Sequence, residues 1–197
     1  ERMLANRMDV LTKYFSTGFG DGAYWSMERR RAYGRAYLIS CGEFLQAQDV
    51  EGGFRCFSNM AKLCPELLAD LETHYELALV DQAKGYRGDF STIHVPSSGL
   101  FLLQMLERLF HESEVSAFPK SARRVAIARA YQALGLLSYG ARQFNEARFF
   151  LMRGLRADPK TGIHPRFSAP LIKSLIGVRA VEWLNLRKRQ LRAISGL

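Results

Sequence analysis

The chain has 197 residues, 48% hydrophobic and 24% charged, a balance that closes a core and excludes a disordered segment. Its formal charge of +9 is unevenly placed: residues 1–119 carry 12 Lys and Arg against 16 Asp and Glu (net −4), and residues 120–197 carry 16 against 3 (net +13). No apolar run approaches a membrane span, no signal peptide follows Glu1, and three widely spaced cysteines exclude a disulfide framework or zinc site and fit a reducing, cytoplasmic setting.

The chain opens on Glu1 rather than Met, so a longer natural protein extending upstream is expected. Met3/Leu4, Met8, Leu11 and Phe15 recur every three or four residues and predict an opening helix ending near Ser16. Thr17 to Ala23 (TGFGDGA) reads as a loop. Tyr33, Tyr37, Cys41 and Phe44 then form one apolar stripe. After an expected turn at Asp49 to Gly53, Phe54, Phe57, Ala61 and Cys64 form a second, which Pro65 stops. Leu67/Leu68, Leu71, Tyr75 and Leu79 predict a further helix.

Lys84 to Ser98 (KGYRGDFSTIHVPSS) reads as a structured loop, and Ser97 or Ser98 is expected to cap a helix over Gly99 to Phe110 that is buried all round. Pro119 suits the first position of a helix containing Arg123 to Gly140. Helices over Asn145 to Ala157 and about 169–192 complete the chain. The period is 3.6 throughout, so the expected fold is all-α, a bundle or short solenoid of antiparallel helix pairs in one domain, with no sheet.

Tyr131, Leu134, Gly135, Ala147, Leu151 and Pro159 stand at the spacings of a tetratricopeptide helix pair, with Gly154 also small and Ser138 where an aromatic is usual. Tyr37, Ser40, Cys41, Phe44, Gly53, Phe57 and Pro65 form a weaker second window. Small residues let two helices approach, aromatics fill the seam, and the proline ends the second helix. The pairs, near 34–65 and 128–159, lie 94 residues apart, which is no multiple of a 34-residue period, so other helices are expected between them.

In such pairs the first helix lines a concave groove. By offset, its residues here are Arg35, Leu38 and Leu45 in one pair and Arg129, Gln132, Leu136 and Tyr139 in the other. An arginine heads each set, so an acidic protein or peptide is the expected ligand. The two-lysine, two-asparagine clamp of chaperone-binding relatives is absent. The C-terminal segment combines Leu171, Leu175, Trp183 and Leu184 with Lys173, Arg179, Arg187, Lys188 and Arg189. It reads as a basic amphipathic helix that caps the helical stack or touches an anionic membrane.

The order of elements resembles the C-terminal helical region of bacterial family 2 glycosyltransferases. The resemblance rests on RMLANRMDVLTKYF (Arg2 to Phe15), GYRGDF (Gly85 to Phe90), NEARFFLMRGLRADP (Asn145 to Pro159) and the basic stretch His164 to Arg189. It implies an accessory segment following a sugar-nucleotide-binding domain, cytoplasmic and peripheral to the inner membrane. That family's Asp-x-Asp site is missing; Asp70-x-Glu72, the nearest approach, reads as a solvated helix face. His74, His94, His111 and His164 share no metal-ligand spacing, and no nucleophile–base grouping is legible, so neither catalysis nor a cofactor is expected. A stand-alone adaptor binding an acidic peptide is the competing reading. Nucleic acid is disfavoured, for want of a recognition helix or a stacking platform on strands.

Overall fold

Burying apolar stripes that repeat every 3.6 residues requires helices laid side by side, and eight are delimited among the described residues of the computed structural model. It describes residues 2–16, 23–80, 95–111, 120–160 and 165–176, together with Trp183 and Arg187. The helices are α1 (Arg2–Ser16), α2 (Ala23–Gln46), α3 (Val50–Leu63), α4 (Leu71–Ala78), α5 (Val95–His111), α6 (Lys120–Gly140), α7 (Phe144–Ala157) and α8 (Pro165–Ile176), with a 3₁₀ turn at Pro65–Ala69. There is no strand among the described residues.

Two antiparallel hairpins, α2–α3 and α6–α7, make the most extensive helix–helix contacts. Their turns are the same turn. Asp49 N–H donates to the Phe44 carbonyl at 2.9 Å, and Gln143 N–H donates to the Ser138 carbonyl at 2.8 Å. Gln48 and Arg142, at φ 63° and 59°, hold the left-handed conformation that reverses each chain. Each seam closes through missing side chains. A Cβ on Gly135 would stand 2.5 Å from Leu151 Cγ, and one on Gly53 would stand 2.4 Å from Leu45 Cδ2.

The correspondence extends beyond the hairpins, with residue n of the first half matching residue n + 94 of the second. α3 maps onto α7 end for end, α1 onto α5, and α4 onto the start of α8. Inward positions agree. Met8, Leu11 and Phe15 answer to the buried Leu102, Met105 and Leu109; the buried Thr73 and Leu77 answer to the buried Phe167 and Leu171. We call the halves the first and second units. They join where α4 lies against α5 and α6, so that Leu77, Ala78, Leu102, Leu106, Ala126 and Ala130 enter one core.

Several boundaries differ from expectation. The turn expected at Asp49 to Gly53 spans Ala47 to Asp49 instead. Asp49 caps α3 through its carboxylate, which accepts from Gly52 N–H at 2.8 Å, and Gly52 and Gly53 serve close approach inside the helix. The helix expected from Leu67 to Leu79 is two pieces broken at Asp70, the N-cap of α4, which accepts from Glu72 N–H at 3.2 Å. The Asp70-x-Glu72 pair is therefore a capping device rather than one helix face. α5 begins at Val95, ahead of the expected serine cap, because a proline in a first helical turn forfeits no bond. α5 is also not buried all round: Leu100, Gln104, Glu107 and His111 run along an exposed side at helical spacing. The expected loops at 17–22 and 84–94, and Pro119, lie outside the described residues.

Candidate functional site

Among the described residues no side chains are grouped in a way suited to catalysis. Among the described residues no three His, Cys, Asp or Glu side chains converge as a metal site. Cys41, Cys56 and Cys64 are buried, and burial pushes the Cys41 thiol up to about 12, which keeps it from acting as a nucleophile. His74 is fully buried on α4. Its Nε2 lies 2.9 Å from the Leu68 carbonyl, and because a carbonyl only accepts, Nε2 carries the proton. Burial lowers its pKa to about 4. His111 is exposed beside Glu107 at 3.9 Å, while His94 and His164 lie outside the described residues.

The expected concave groove is largely occupied. Leu38, Leu45 and Gln132 are buried: α4 and the 3₁₀ turn lie against α6, and Leu45 packs over Gly53 of α3. Arg129 is half-buried and spends its Nη1 on Gln132 Oε1 at 2.7 Å, while Leu136 is half-buried and Tyr139 meets Phe144 edge-on at 5.5 Å. Arg35 is exposed, 4.0 Å from Glu72 of α4. An intervening helix thus separates the two arginine-headed sets, which form no common surface.

A basic surface lies instead on the outer side of α7. Ala147, Phe150, Leu151 and Gly154 face the interior. Helical geometry then turns Arg148, Phe149, Arg153 and Arg156 outward, and all four are exposed. Arg148 and Arg156 stand about 12 Å apart along the helix at 1.5 Å per residue. The Arg153 guanidinium sits 4.5 Å from the centroid of the Phe149 ring, and its Nη1 donates to the Tyr131 hydroxyl at 3.4 Å. Phe149 meets Phe150 edge-on at 5.3 Å, and Phe150 stacks on Tyr131 at 6.4 Å. A rigid ladder of rings therefore anchors the exposed Phe149 to the core. Among the described residues none of the three arginines forms an ion pair. Three guanidinium groups exposed on one helix without an ion-pair partner among the described residues can hold carboxylates. The signal for this patch was in the sequence, since Arg148, Phe149, Arg153 and Arg156 are among the residues of NEARFFLMRGLRA left once the seam positions are removed.

Of the expected membrane-facing residues, Lys173, Trp183 and Arg187 are exposed, with the Arg187 guanidinium 4.6 Å from the Trp183 ring centroid. Arg179, Lys188 and Arg189 lie outside the described residues. Among the described residues no helix is long and apolar enough to cross a membrane.

Comparison of the chain with models of protein families, with curated proteins and with solved structures returned no match.

Proposed function

We propose that this chain is a non-catalytic interaction module of tetratricopeptide-like hairpins, whose second unit engages an acidic segment of a partner protein. The reading rests on the outer face of α7, where the exposed Arg148, Arg153 and Arg156 lie on the same helix as the exposed Phe149, without a carboxylate partner among the described residues. The hairpins supply rigid support, since the Arg153–Phe149–Phe150–Tyr131 ladder fixes the patch at little further entropic cost on binding. The family resemblance makes the module an accessory region of a bacterial family 2 glycosyltransferase, contributing partner or acceptor contacts beside a catalytic domain on the same chain.

The test of the binding reading is fluorescence anisotropy with a labelled peptide carrying several Glu around one Phe, and a neutral peptide of the same length as control. Saturable, salt-weakened binding of the acidic peptide is expected, lost in the triple variant Arg148→Glu/Arg153→Glu/Arg156→Glu. Equal affinity for both peptides, or tighter binding of duplex DNA than of the acidic peptide, would overturn it. Sedimentation with phosphatidylglycerol vesicles at low salt tests the membrane alternative. Peptide mass spectrometry of the native gene product tests the glycosyltransferase assignment, which requires a sugar-nucleotide-binding domain upstream on the same chain.

A further inference from the structure

The join between the two units has counterpart surfaces on α1 and α2 of the first unit and on α8 of the second. In the middle, α4 of the first unit sits against α5 and α6 of the second. That contact leaves Ala126, Ala130 and Ala133 of α6 without solvent exposure and Ala78 of α4 1% exposed. Subtracting 94 from the α6 positions gives Ala32, Ala36 and Ile39 of α2; adding 94 to Ala78 gives Ile172 of α8. Of these counterparts Ile39 and Ile172 are exposed and Ala32 is half-buried, while Ala36 is covered within its own unit. Val10, Leu11, Ala32, Ala36 and Ile39 line an apolar groove of roughly 400 Å³ between α1 and α2, with Ile39 49% exposed and Val10 67% exposed. At the other end α8 buries Phe167 and Leu171 but leaves Ile172 54% and Leu175 55% exposed.

We propose that these two surfaces dock on one another between copies of the chain, α8 of one molecule entering the α1–α2 groove of the next, as α4 enters the α5–α6 groove within one molecule. The occupant of the groove is thus a second copy, presented head to tail. Three observations carry this. The interface continues one already formed inside the molecule, position for position. The exposed Ile39 and Ile172 are counterparts of Ala133 and Ala78, which α6 and α4 bury. The charge also chooses the direction, since head-to-tail contact sets the half at residues 95–197, net +11 (17 Lys and Arg against 6 Asp and Glu), against the half at residues 1–94, net −2 (11 against 13), whereas tail-to-tail contact would set +11 against +11. Such an interface uses two different patches and does not close on itself by two-fold symmetry, so it yields dimers and longer open chains as concentration rises.

The experiment is sedimentation velocity on the full chain across a wide concentration range, with two single variants, Ile39→Glu in the groove and Ile172→Glu on α8. Both residues are exposed, so folding should survive, and circular dichroism checks that it does. The wild-type protein is expected to show a rising weight-average mass. Each variant alone should associate at least about tenfold more weakly, the effect of a charge placed against a buried apolar surface. An equimolar mixture of the two variants retains one intact groove and one intact α8, on different molecules, and is expected to form a one-to-one dimer that goes no further. A monomeric wild type at every concentration, or a mixture no more associated than either variant, would overturn the proposal. The triple arginine variant of α7 should associate as the wild type does, which separates this interface from acidic-peptide binding.

Discussion

The Cβ that Gly135 lacks would stand 2.5 Å from Cγ of Leu151, so the closest approach of α6 and α7 is set by one absent carbon. Leu151 is itself fully buried, and its backbone nitrogen lies 3.1 Å from the same point, which leaves the side chain nowhere to retreat. Gly135→Ala gains about 1 kcal/mol of helix propensity but incurs an overpacking strain of about 1–3 kcal/mol. Net destabilisation of about 1 kcal/mol is expected as a lower urea midpoint. Gly42→Ala is the contrasting case. Its Cβ meets only Val80 Cγ2 at 3.9 Å, an ordinary contact, so propensity dominates and the midpoint should rise. A gain in stability for Gly135→Ala would show that the seam is looser than these distances.

Acid should loosen the join between the units before other regions. His74 is neutral in the fold with its pKa lowered to about 4, mainly by burial and with Arg129 adding to the effect, against an ordinary value of 6.5. The unfolded chain therefore binds more protons between these two values. The stability contributed by neutral His74 is present above pH 6.5 and is lost as pH falls towards 4, on the order of 3 kcal/mol in full. Glu76, held above the ordinary carboxylate range by burial and by Glu72, works in the opposite direction. Urea titrations from pH 7 to pH 4 on the wild type and on His74→Gln, which still offers a donor to Leu68, isolate the histidine. Identical pH slopes in the two proteins would remove His74 from the account.

Detachment of α1 should follow from one substitution. The helix has no fully buried residue. It is held to α2 by Arg7, whose two terminal nitrogens lie 2.7 Å from the carboxylate oxygens of Glu43, with Nη1 also donating to the buried Ser40 Oγ at 2.8 Å. Arg7→Ala removes these bonds from Glu43 and from the buried Ser40, at a cost of about 1–3 kcal/mol. Hydrogen exchange is expected to accelerate across Arg2 to Ser16 while the α6–α7 amides keep their protection. Unchanged α1 protection would assign its docking to Leu4, Leu11 and Phe15 alone.

The cysteines should report global opening. Cys41 is wholly buried with its thiol raised to about 12, and Cys56 and Cys64, nearly as buried, are also raised above the ordinary thiol value. Labelling by a thiol disulfide reagent at mildly alkaline pH is expected to be slow in the native protein and rapid in denaturant for all three. Fast reaction of any one in the native state would mark a local opening of the first unit.

The residues at Tyr131, Gly135, Ala147, Leu151 and Pro159 were enough to place the α6–α7 hairpin, because a seam requires small side chains at fixed helical spacing. The first hairpin was legible for the same reason, though its turn was misplaced: Gly52 and Gly53 resemble turn residues but serve close approach, Gly52 to Asp49 and Phe44 and Gly53 to Leu45. The 94-residue spacing of Pro65 and Pro159 was also visible. Its extension to α1 and α5 was not, because there the match is one of buried face (Met8 with Leu102, Phe15 with Leu109) rather than of residue type. The groove residues failed differently. Leu38 and Gln132 follow from a rule about which side of a first helix stays open, and here other chain segments cover that side.

Helix identity, the seams and the excess of positive charge after residue 120 were determined by the sequence alone, since each depends on residues within one or two turns or on simple composition. Which faces remain open was decided by the tertiary structure. Burial of Ala78 and exposure of its counterpart Ile172 differ because a neighbouring unit follows α4 and none follows α8 among the described residues. The outer side of α7 became a candidate surface on the same ground. Exposure depends on what lies beyond a residue in space, and helical periodicity records only the direction in which its side chain points.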